Sequence, residues 1–333
     1  MRSSILLTLF WILAYTPVSA QLLPNMGGQR AGLSALSFLK NDMSPRALAM
    51  GGAATALPGD AYNARNNPAG LATLEKYHLA LSNLSPGAGF QQSFISSVHK
   101  LKNEASLAFS LNSMYTGSMK VRTEFQPDGT GEFFSLNNTA VGVSYATRLS
   151  DMFSLGITMN YLYEAMASYR NHTVAADIGF LYHTDFKDLR FAVLVQNFGG
   201  NSALSGSGLK SSFNRTTVDL SEYTVPTVFK MGFSMVPIKD ENRELTVSAE
   251  LNHPNDNAEN LRFGLCYAHK KLIEVMAGYK LGVKGQSWPT GGIAFKSRAG
   301  VHPLKFYYAV NPTNHLGTWH MFGIAMQYNN DQR

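Results

Sequence analysis

The sequence predicts an all-β protein, a transmembrane antiparallel β-barrel of about 14 strands with an N-terminal hatch or plug segment in its lumen. Three observations predict it. The chain opens on an export signal. Ser44 to Leu74 is rich in Gly, Ala and Pro and nearly free of β-branched residues, so it reads as compact and irregular or briefly helical. From about residue 77 onward, large apolar residues alternate with small and polar ones at a period of two.

The export signal comes first. Arg2 is the only early charge, an apolar run follows from Ile5 to Tyr15, and Pro17-Val18-Ser19-Ala20 supplies a small-residue cleavage site. The run is too short to span a bilayer, which needs about 20 residues. Residues 1–20 are therefore expected to be a cleaved signal peptide, 21–76 an N-terminal extension and hatch, and 77–330 the barrel. No later stretch is apolar enough for a transmembrane helix, and the mean hydropathy is −0.10. A barrel tolerates this because its lipid-facing residues alternate with polar ones. Cys266 is the only cysteine, which excludes an intramolecular disulfide and a Cys-based metal site. The formal charge of +6 is spread out, with no basic block to suggest nucleic acid. Outer-membrane lipid and lipopolysaccharide, with their phosphate groups, are the expected surroundings. The 15 Tyr and 20 Phe suit strand surfaces and interfacial girdles.

The strands follow in order. The apolar face runs Thr139, Val141, Val143, Tyr145, then Phe153, Leu155, Ile157, Met159, Tyr161, and returns as Val174, Ala176, Ile178, Phe180, Tyr182. Later repeats include Phe229–Met235, Leu261–Tyr267, Ile273–Tyr279 and Phe322–Tyr328. The opposite face holds Gly, Ser, Thr and Asn together with Lys230, Glu250, Arg262, Glu274, Lys280 and Lys305. These charges are expected to line the lumen as a cross-strand ion-pair network. A soluble sandwich also alternates, but large residues on strand after strand and the export signal favour the barrel. The strands are placed at 78–85, 90–101, 103–125, 131–149, 152–169, 171–185, 188–199, 223–237, 243–253, 258–270, 272–284, 289–298, 302–311 and 315–329. Connections at Lys102-Asn103, Ser150-Asp151, Phe186-Lys187 and Lys270-Lys271 are tight, as periplasmic turns should be. The outer loops include Gln126–Thr130, His253–Asn257 and, longest, Gly200–Glu222.

Within the hatch, Gly51-Gly52 permits positive φ and close approach to a wall, while Asn67-Pro68 favours a turn. Ser44-Pro45-Arg46-Ala47-Leu48-Ala49-Met50-Gly51-Gly52-Ala53, then Asp60-Ala61 and Asn67-Pro68-Ala69-Gly70-Leu71, resembles the hallmark of the PorV/PorQ family. That family sits within the FadL-like group of outer-membrane barrels. The resemblance continues through Gly131-Glu132-Phe133, Asn197-Phe198-Gly199 and Leu204-Ser205-Gly206. It implies a fourteen-strand barrel with an N-terminal hatch, whose motif here is Arg46, Gly51, Gly52, Asn67, Pro68 and Gly70.

The resemblance further implies an adaptor of the type IX secretion system, with secretion components and cargo C-terminal domains as partners. The partner-binding surface would then be the outer loops, marked by Asp128, Gly129, Leu204, Gly206, Leu209 and Asn255. A FadL-like channel for hydrophobic small molecules is the second reading, with Gly117 and Gly282 as candidate wall kinks. The mixed-charge lumen face speaks against it. A purely structural relative is the third. No catalytic site, cofactor or metal is expected. The nine His are scattered, and HExxH, phosphate-loop and Gly-x-Ser-x-Gly patterns do not occur.

Overall fold

The computed structural model describes residues 34–101, 104–206, 222–270, 272–286 and 288–328. The expected signal peptide, Lys102-Asn103, Lys271 and Leu209 lie outside them. Fourteen strands close a ring in which each pairs antiparallel with its neighbours in sequence. They are β1 Tyr77–Gly87, β2 Phe90–Lys100, β3 Ala105–Thr116, β4 Leu136–Arg148, β5 Phe153–Met166, β6 Tyr169–His183 and β7 Arg190–Gly199. The second half is β8 Val228–Lys239, β9 Arg243–Pro254, β10 Asn260–His269, β11 Ile273–Leu281, β12 Thr290–Ala299, β13 His302–Thr313 and β14 Gly317–Tyr328. The seam is β1 against β14, in register from Tyr77↔Tyr328 to Ser85↔His320. Closure removes both sheet edges, so the wall satisfies its own backbone, as a lipid environment demands.

Alternation sorts the side chains between lipid and lumen. Val143 and Tyr145 are about half exposed, whereas Ser144 and Ala146 between and beside them are fully buried. Phe233, Leu265, Val275, Phe295 and Phe322 continue the outer apolar surface. Near its outer rim, Tyr161 Oη lies 3.0 Å from His172 Nδ1 and Tyr308 Oη 2.8 Å from His320 Nδ1. Such aromatic groups with a polar tip suit the headgroup level.

The boundaries differ from expectation where a strand loses its neighbour. A strand over 103–125 is expected, but β3 ends at Thr116, which pairs with Phe90, the first residue of β2. Beyond that point there is nothing left on β2 to pair with. The chain instead pairs with itself, Met119–Lys120 against Phe133–Phe134, and β4 begins at Leu136 rather than 131. Likewise β8 begins at Val228 rather than 223. Pro226 has no amide to give the ladder, and Tyr223–Thr224 pairs with Asn201–Ser202 outside the wall.

The hatch fills the middle of the lumen. It consists of a 3-10 turn at Ser37–Lys40, helix α1 Pro45–Ala49, helix α2 Asn63–Asn66 and a 3-10 stretch Pro68–Thr73. Ser44 caps α1 by accepting from Ala47 N at 3.3 Å, and Asn67 caps the last stretch by accepting from Ala69 N at 3.0 Å. Proline follows each cap, where its missing amide costs nothing. Met43, Leu48, Met50, Tyr62 and Leu71 are fully buried and form one core with the lumen-facing Leu84, Phe94, Val98 and Met321.

Candidate functional site

A fourteen-strand ring is too wide to be filled by its own side chains, and the sequence makes it wider by placing glycine on the lumen face. Gly264 of β10 receives the hatch at Met50: a Cβ there would lie 2.7 Å from Met50 Cβ and 2.8 Å from Met50 O. Gly292 of β12 receives Ala49 in the same way, and Gly232 of β8 receives Thr55 and Ala56. Gly278 of β11 faces the Met50–Gly51 backbone, and Gly156 of β5 faces Pro68–Ala69. The hatch answers with its own glycines. Gly51 and Gly52 take φ of 67° and 82°, and a Cβ on Gly51 would fall 2.8 Å from Tyr279 N. Glycine alone meets both demands. Gly70 packs against the Asn63 side chain with no room for a Cβ.

An irregular segment buried inside a barrel must find partners for its peptide groups. Here the lumen-facing polar residues of the wall provide them. Ser82 donates to Met43 O and Ser96 to Ala61 O, each at 2.6 Å. Ser234 donates to Ala56 O at 2.6 Å, Gln196 to Arg65 O at 2.7 Å, and Thr290 to Ala49 O at 2.8 Å while accepting from Gly51 N. Glu250 accepts three bonds on one oxygen: Ala54 N at 3.1 Å, Thr55 N at 3.0 Å and Thr55 Oγ1 at 2.7 Å. The traffic also runs the other way. Tyr62 donates to Leu81 O at 2.5 Å at the β1–β14 seam, and Asn67 donates to Phe180 O of β6 as well as to Thr55 O within the hatch. The hatch is a fixed part of the wall's hydrogen-bond network.

The lumen charges expected from sequence all face inward, and they divide into two groups. In the outer half Glu250, Arg262 and Lys280 stand directly opposite one another on β9, β10 and β11. Arg262 lies 3.7 Å from Glu250 and 3.7 Å from Asp42, and Lys280 lies 3.7 Å from Asp42. Lys230 on β8 lies opposite Asn252. In the other half Glu274 meets Lys296 at 2.8 Å and Lys305 at 3.4 Å, with the buried Cys266 nearby. Arg46 from the hatch is coupled electrostatically to Glu274 and Asp60.

Three hatch or loop members were missed by the sequence reading. Asp42 is the acid shared by Arg262 and Lys280. Burial pushes its carboxyl up, but Arg262 and Lys280, with Lys230 and Arg65 behind them, hold it below the ordinary carboxylate range. Arg65 reaches Asn197 Oδ1 at 3.0 Å, Leu39 O and, at 3.8 Å, Asp177 of β6. Asp256, in the β9–β10 loop, is buried against Lys40 at 2.7 Å and Ser34. A signal was present: Lys230, Arg262, Lys280 and Lys305 outnumber Glu250 and Glu274 on the wall, so a buried lumen needed acids from elsewhere.

Of the expected loop residues, Asp128 is exposed at the tip of the 119–134 hairpin beside Gly129, whose φ is 117°. Leu204 and Gly206 flank Ser205, which bridges to Arg170 at the start of β6. Asn255 ties two outer loops together, its amide nitrogen donating to Thr227 O at 3.0 Å and its side chain to Val225 O at 3.3 Å. The wall-kink candidates are corrected. Gly117 and Gly282 lie just beyond the ends of β3 and β11, outside the ladder. The register of the wall shifts instead at Leu84/Gly87 between β1 and β2, at Met235/Ile238 between β8 and β9, and around Asp177 between β6 and β7, where Asn197 takes φ 56°. Asp177 Oδ1 accepts from Asn197 N at 2.6 Å there, so this amide is paired although it lies outside the regular ladder.

The outer mouth above the hatch holds a cavity of about 510 Å³ continuing into one of about 290 Å³, both lined by Lys40, Arg262, Lys280 and Trp319. A family profile described as type IX secretion system protein PorV matches residues 25–254. No curated protein sequence matches the chain. Among solved structures the fold is similar to the toluene transporter TbuX of Ralstonia pickettii, at 11% identity and TM-score 0.54, with 86% of this chain and 98% of the other covered. It is similar also to the monoaromatic hydrocarbon channel CymD, at 12% identity and TM-score 0.56 with 86% and 98% covered. A FadL homologue of Pseudomonas aeruginosa matches at 12% identity and TM-score 0.52, again with 86% and 98% covered. At these identities the likeness is one of fold.

Proposed function

The chain belongs to the PorV family of type IX secretion system proteins, and from that premise we propose that it is an outer-membrane adaptor which binds secreted cargo or partner subunits through its outer loops. The match over residues 25–254 carries this reading, because it takes in the hatch, the first nine of the fourteen wall strands and every outer loop up to Pro254. The geometry supports it. A lumen filled by a hatch that the wall bonds on all sides leaves the ends of the barrel as its working surfaces. At the outer end the 119–134 hairpin, the 200–206 segment with Tyr223–Thr224, and the Asn255 loop gather at one mouth.

On this reading residues 1–20 are removed on export and 21–76 are the extension and hatch. The barrel passes cargo between the translocon and an attachment complex and performs no bond chemistry. Asp128, Gly129, Leu204, Gly206, Leu209 and Asn255 belong to the docking surface, and cargo C-terminal domains are the expected ligands. The hatch motif around Arg46, Gly51, Gly52, Asn67, Pro68 and Gly70 holds the mouth rigid from below. Deleting residues 203–220 tests the proposal. The barrel should stay folded, judged by its heat-modifiable migration, while cargo accumulates in the periplasm; normal export from a folded deletion protein refutes it.

Uptake of small hydrophobic molecules is the second reading, favoured by the fold likeness to hydrocarbon channels. The charged row across Glu250, Arg262 and Lys280 and the fixed hatch oppose it. Hydrocarbon uptake that depends on this barrel would reverse the order of the two.

A further inference from the structure

The lipid side of the wall carries a single permanent charge between β4 and β7. Alternation turns Arg148, Glu164, Asp177 and Arg190 inward, and among the described residues only Arg170 of these four strands is left facing outward. It stands at the outer end of β6, in one column with His172 and the exposed Val174. Its Nη1 donates to Ala167 O and Tyr169 O at 2.8 Å each, which holds the guanidinium over the short turn from β5. Among the described residues no carboxylate pairs with it, so Nε and Nη2 are open to a ligand. His172 is exposed below it, with Nδ1 3.0 Å from Tyr161 Oη. A hydroxyl donated to Nδ1 leaves the ring proton on Nε2, which is then a second donor. Tyr163, opposite His172 in the ladder, packs against its ring at 5.3 Å. Phe198 of β7, opposite Ala176, is exposed on the same face.

The height of the pair matters. Ten residues of β6 separate Tyr182, exposed near the periplasmic end, from His172. At about 3.3 Å per residue and a tilt of about 40° they rise about 25 Å, the height of the apolar band of an outer-membrane barrel. His172 and Arg170 therefore stand at the headgroup level of the outer leaflet. Tyr308 and His320 form a like pair near the outer rim of β13 and β14, 2.8 Å apart, but Val310, Thr318 and Phe322 beside them carry no charge. Arg170 is what sets the β5–β6 position apart.

We propose that Arg170 and His172 bind the phosphate group of an outer-leaflet lipid whose acyl chains lie along Val174 and Phe198. A phosphate monoester carries about −1.5 to −2 charges and three acceptor oxygens, so one group meets both donors and supplies the anion that Arg170 lacks. The proposal rests on the barrel's place in the membrane and not on the adaptor reading.

The test uses the full mature barrel in a non-ionic detergent, with bound lipid read by native mass spectrometry. The probes are dipalmitoyl phosphatidate, dipalmitoylglycerol and inorganic phosphate. Phosphatidate should bind about tenfold or more tightly than dipalmitoylglycerol, the ratio expected for charge-assisted hydrogen bonds. R170Q should abolish that preference, H172F should weaken it severalfold, and H320F should leave it unchanged, each variant migrating as a folded barrel. Equal binding of the two lipids, a preference that survives R170Q, or one lost as fully in H320F overturns the site. Displacement of phosphatidate by inorganic phosphate at comparable concentration assigns the donors to the free ion and overturns the lipid source. Because the assay reads lipid on the isolated barrel, its failure is distinct from a failure of the cargo-export test.

Discussion

Glu250 is the wall residue on which the position of the hatch depends most. Its Oε2 accepts from two backbone amides and one hydroxyl of Ala54–Thr55, and the side chain is buried. Glu250→Ala leaves these three donors without their acceptor. At about 1–3 kcal/mol for each buried unsatisfied donor, and allowing the hydroxyl to turn elsewhere, the two amides alone cost about 2–6 kcal/mol. Arg262 also loses one of its two carboxylates, keeping Asp42. The strand ladder does not involve the Glu250 side chain, so the loss falls on the hatch and the barrel stays closed. Hydrogen exchange reads this directly. Protection of the amides in residues 50–58 should fall by a factor of about 30 to 10⁴ in E250A, while protection of β9 and β10 is retained. Glu250→Gln keeps an acceptor but loses the charge, so its effect should be smaller, on the order of tenfold. An E250A barrel whose 50–58 amides exchange as slowly as wild type would refute the view that wall side chains hold the hatch.

Asp42→Asn should destabilise the protein to denaturant by roughly 2 kcal/mol, less than the loss of a fully buried pair because Glu250 still faces Arg262. Asp42's folded carboxyl is held below its ordinary value, so the wild-type advantage is full above about pH 4 and disappears as pH falls through that lower value. An advantage that persists undiminished at strongly acid pH would show that Asp42 acts by packing rather than charge. Gly278→Val places side-chain atoms on the Met50–Gly51 backbone and should displace the hatch with a cost of about 3 kcal/mol or more. Gly300→Ala, at φ 64° with open space around it, should cost about 1 kcal/mol. Denaturant midpoints of the two variants compare them, and equal midpoints would count against the close approach.

The period-two pattern made the barrel legible because lipid on one side and a packed lumen on the other impose opposite demands on successive residues. Val143, Tyr145 and Phe233 stand outside while Ser144, Ala146 and Ser234 stand inside, as the alternation requires. Strand ends were less legible because they depend on neighbours far away in sequence. Nothing in residues 103–125 announces that β2 begins only at Phe90 and leaves Thr116 as the last residue of β3 with a partner on it. The wall charges could be placed by parity, but Asp42, Arg65 and Asp256 lie in segments without a repeat, so no period says which way they point. The kink reading failed for a related reason. Glycine marks a bend or a bulge only when it lies inside the ladder, and Gly117 and Gly282 lie just past it.

The inward glycines and the inward serines are one device seen from two sides. A lumen-facing glycine removes a side chain where the barrel interior is already too wide to fill, which would be destabilising in an open pore. It becomes favourable only if a second piece of chain sits against that bare backbone, as Met50 does at Gly264 and Ala49 at Gly292. That second piece then needs partners for its peptide groups, and the neighbouring Ser82, Ser96, Ser234 and Thr290 supply them at 2.6–2.8 Å. Removing the hatch would therefore expose glycine dents and unpaired hydroxyls together. A plug secured in both ways is poorly suited to opening on every passage of a small molecule. It is well suited to stiffening the mouth above it, where Lys40 of the hatch reaches Asp256 of an outer loop at 2.7 Å. This coupling of hatch to loop favours a rigid docking platform over a gated conduit for this chain.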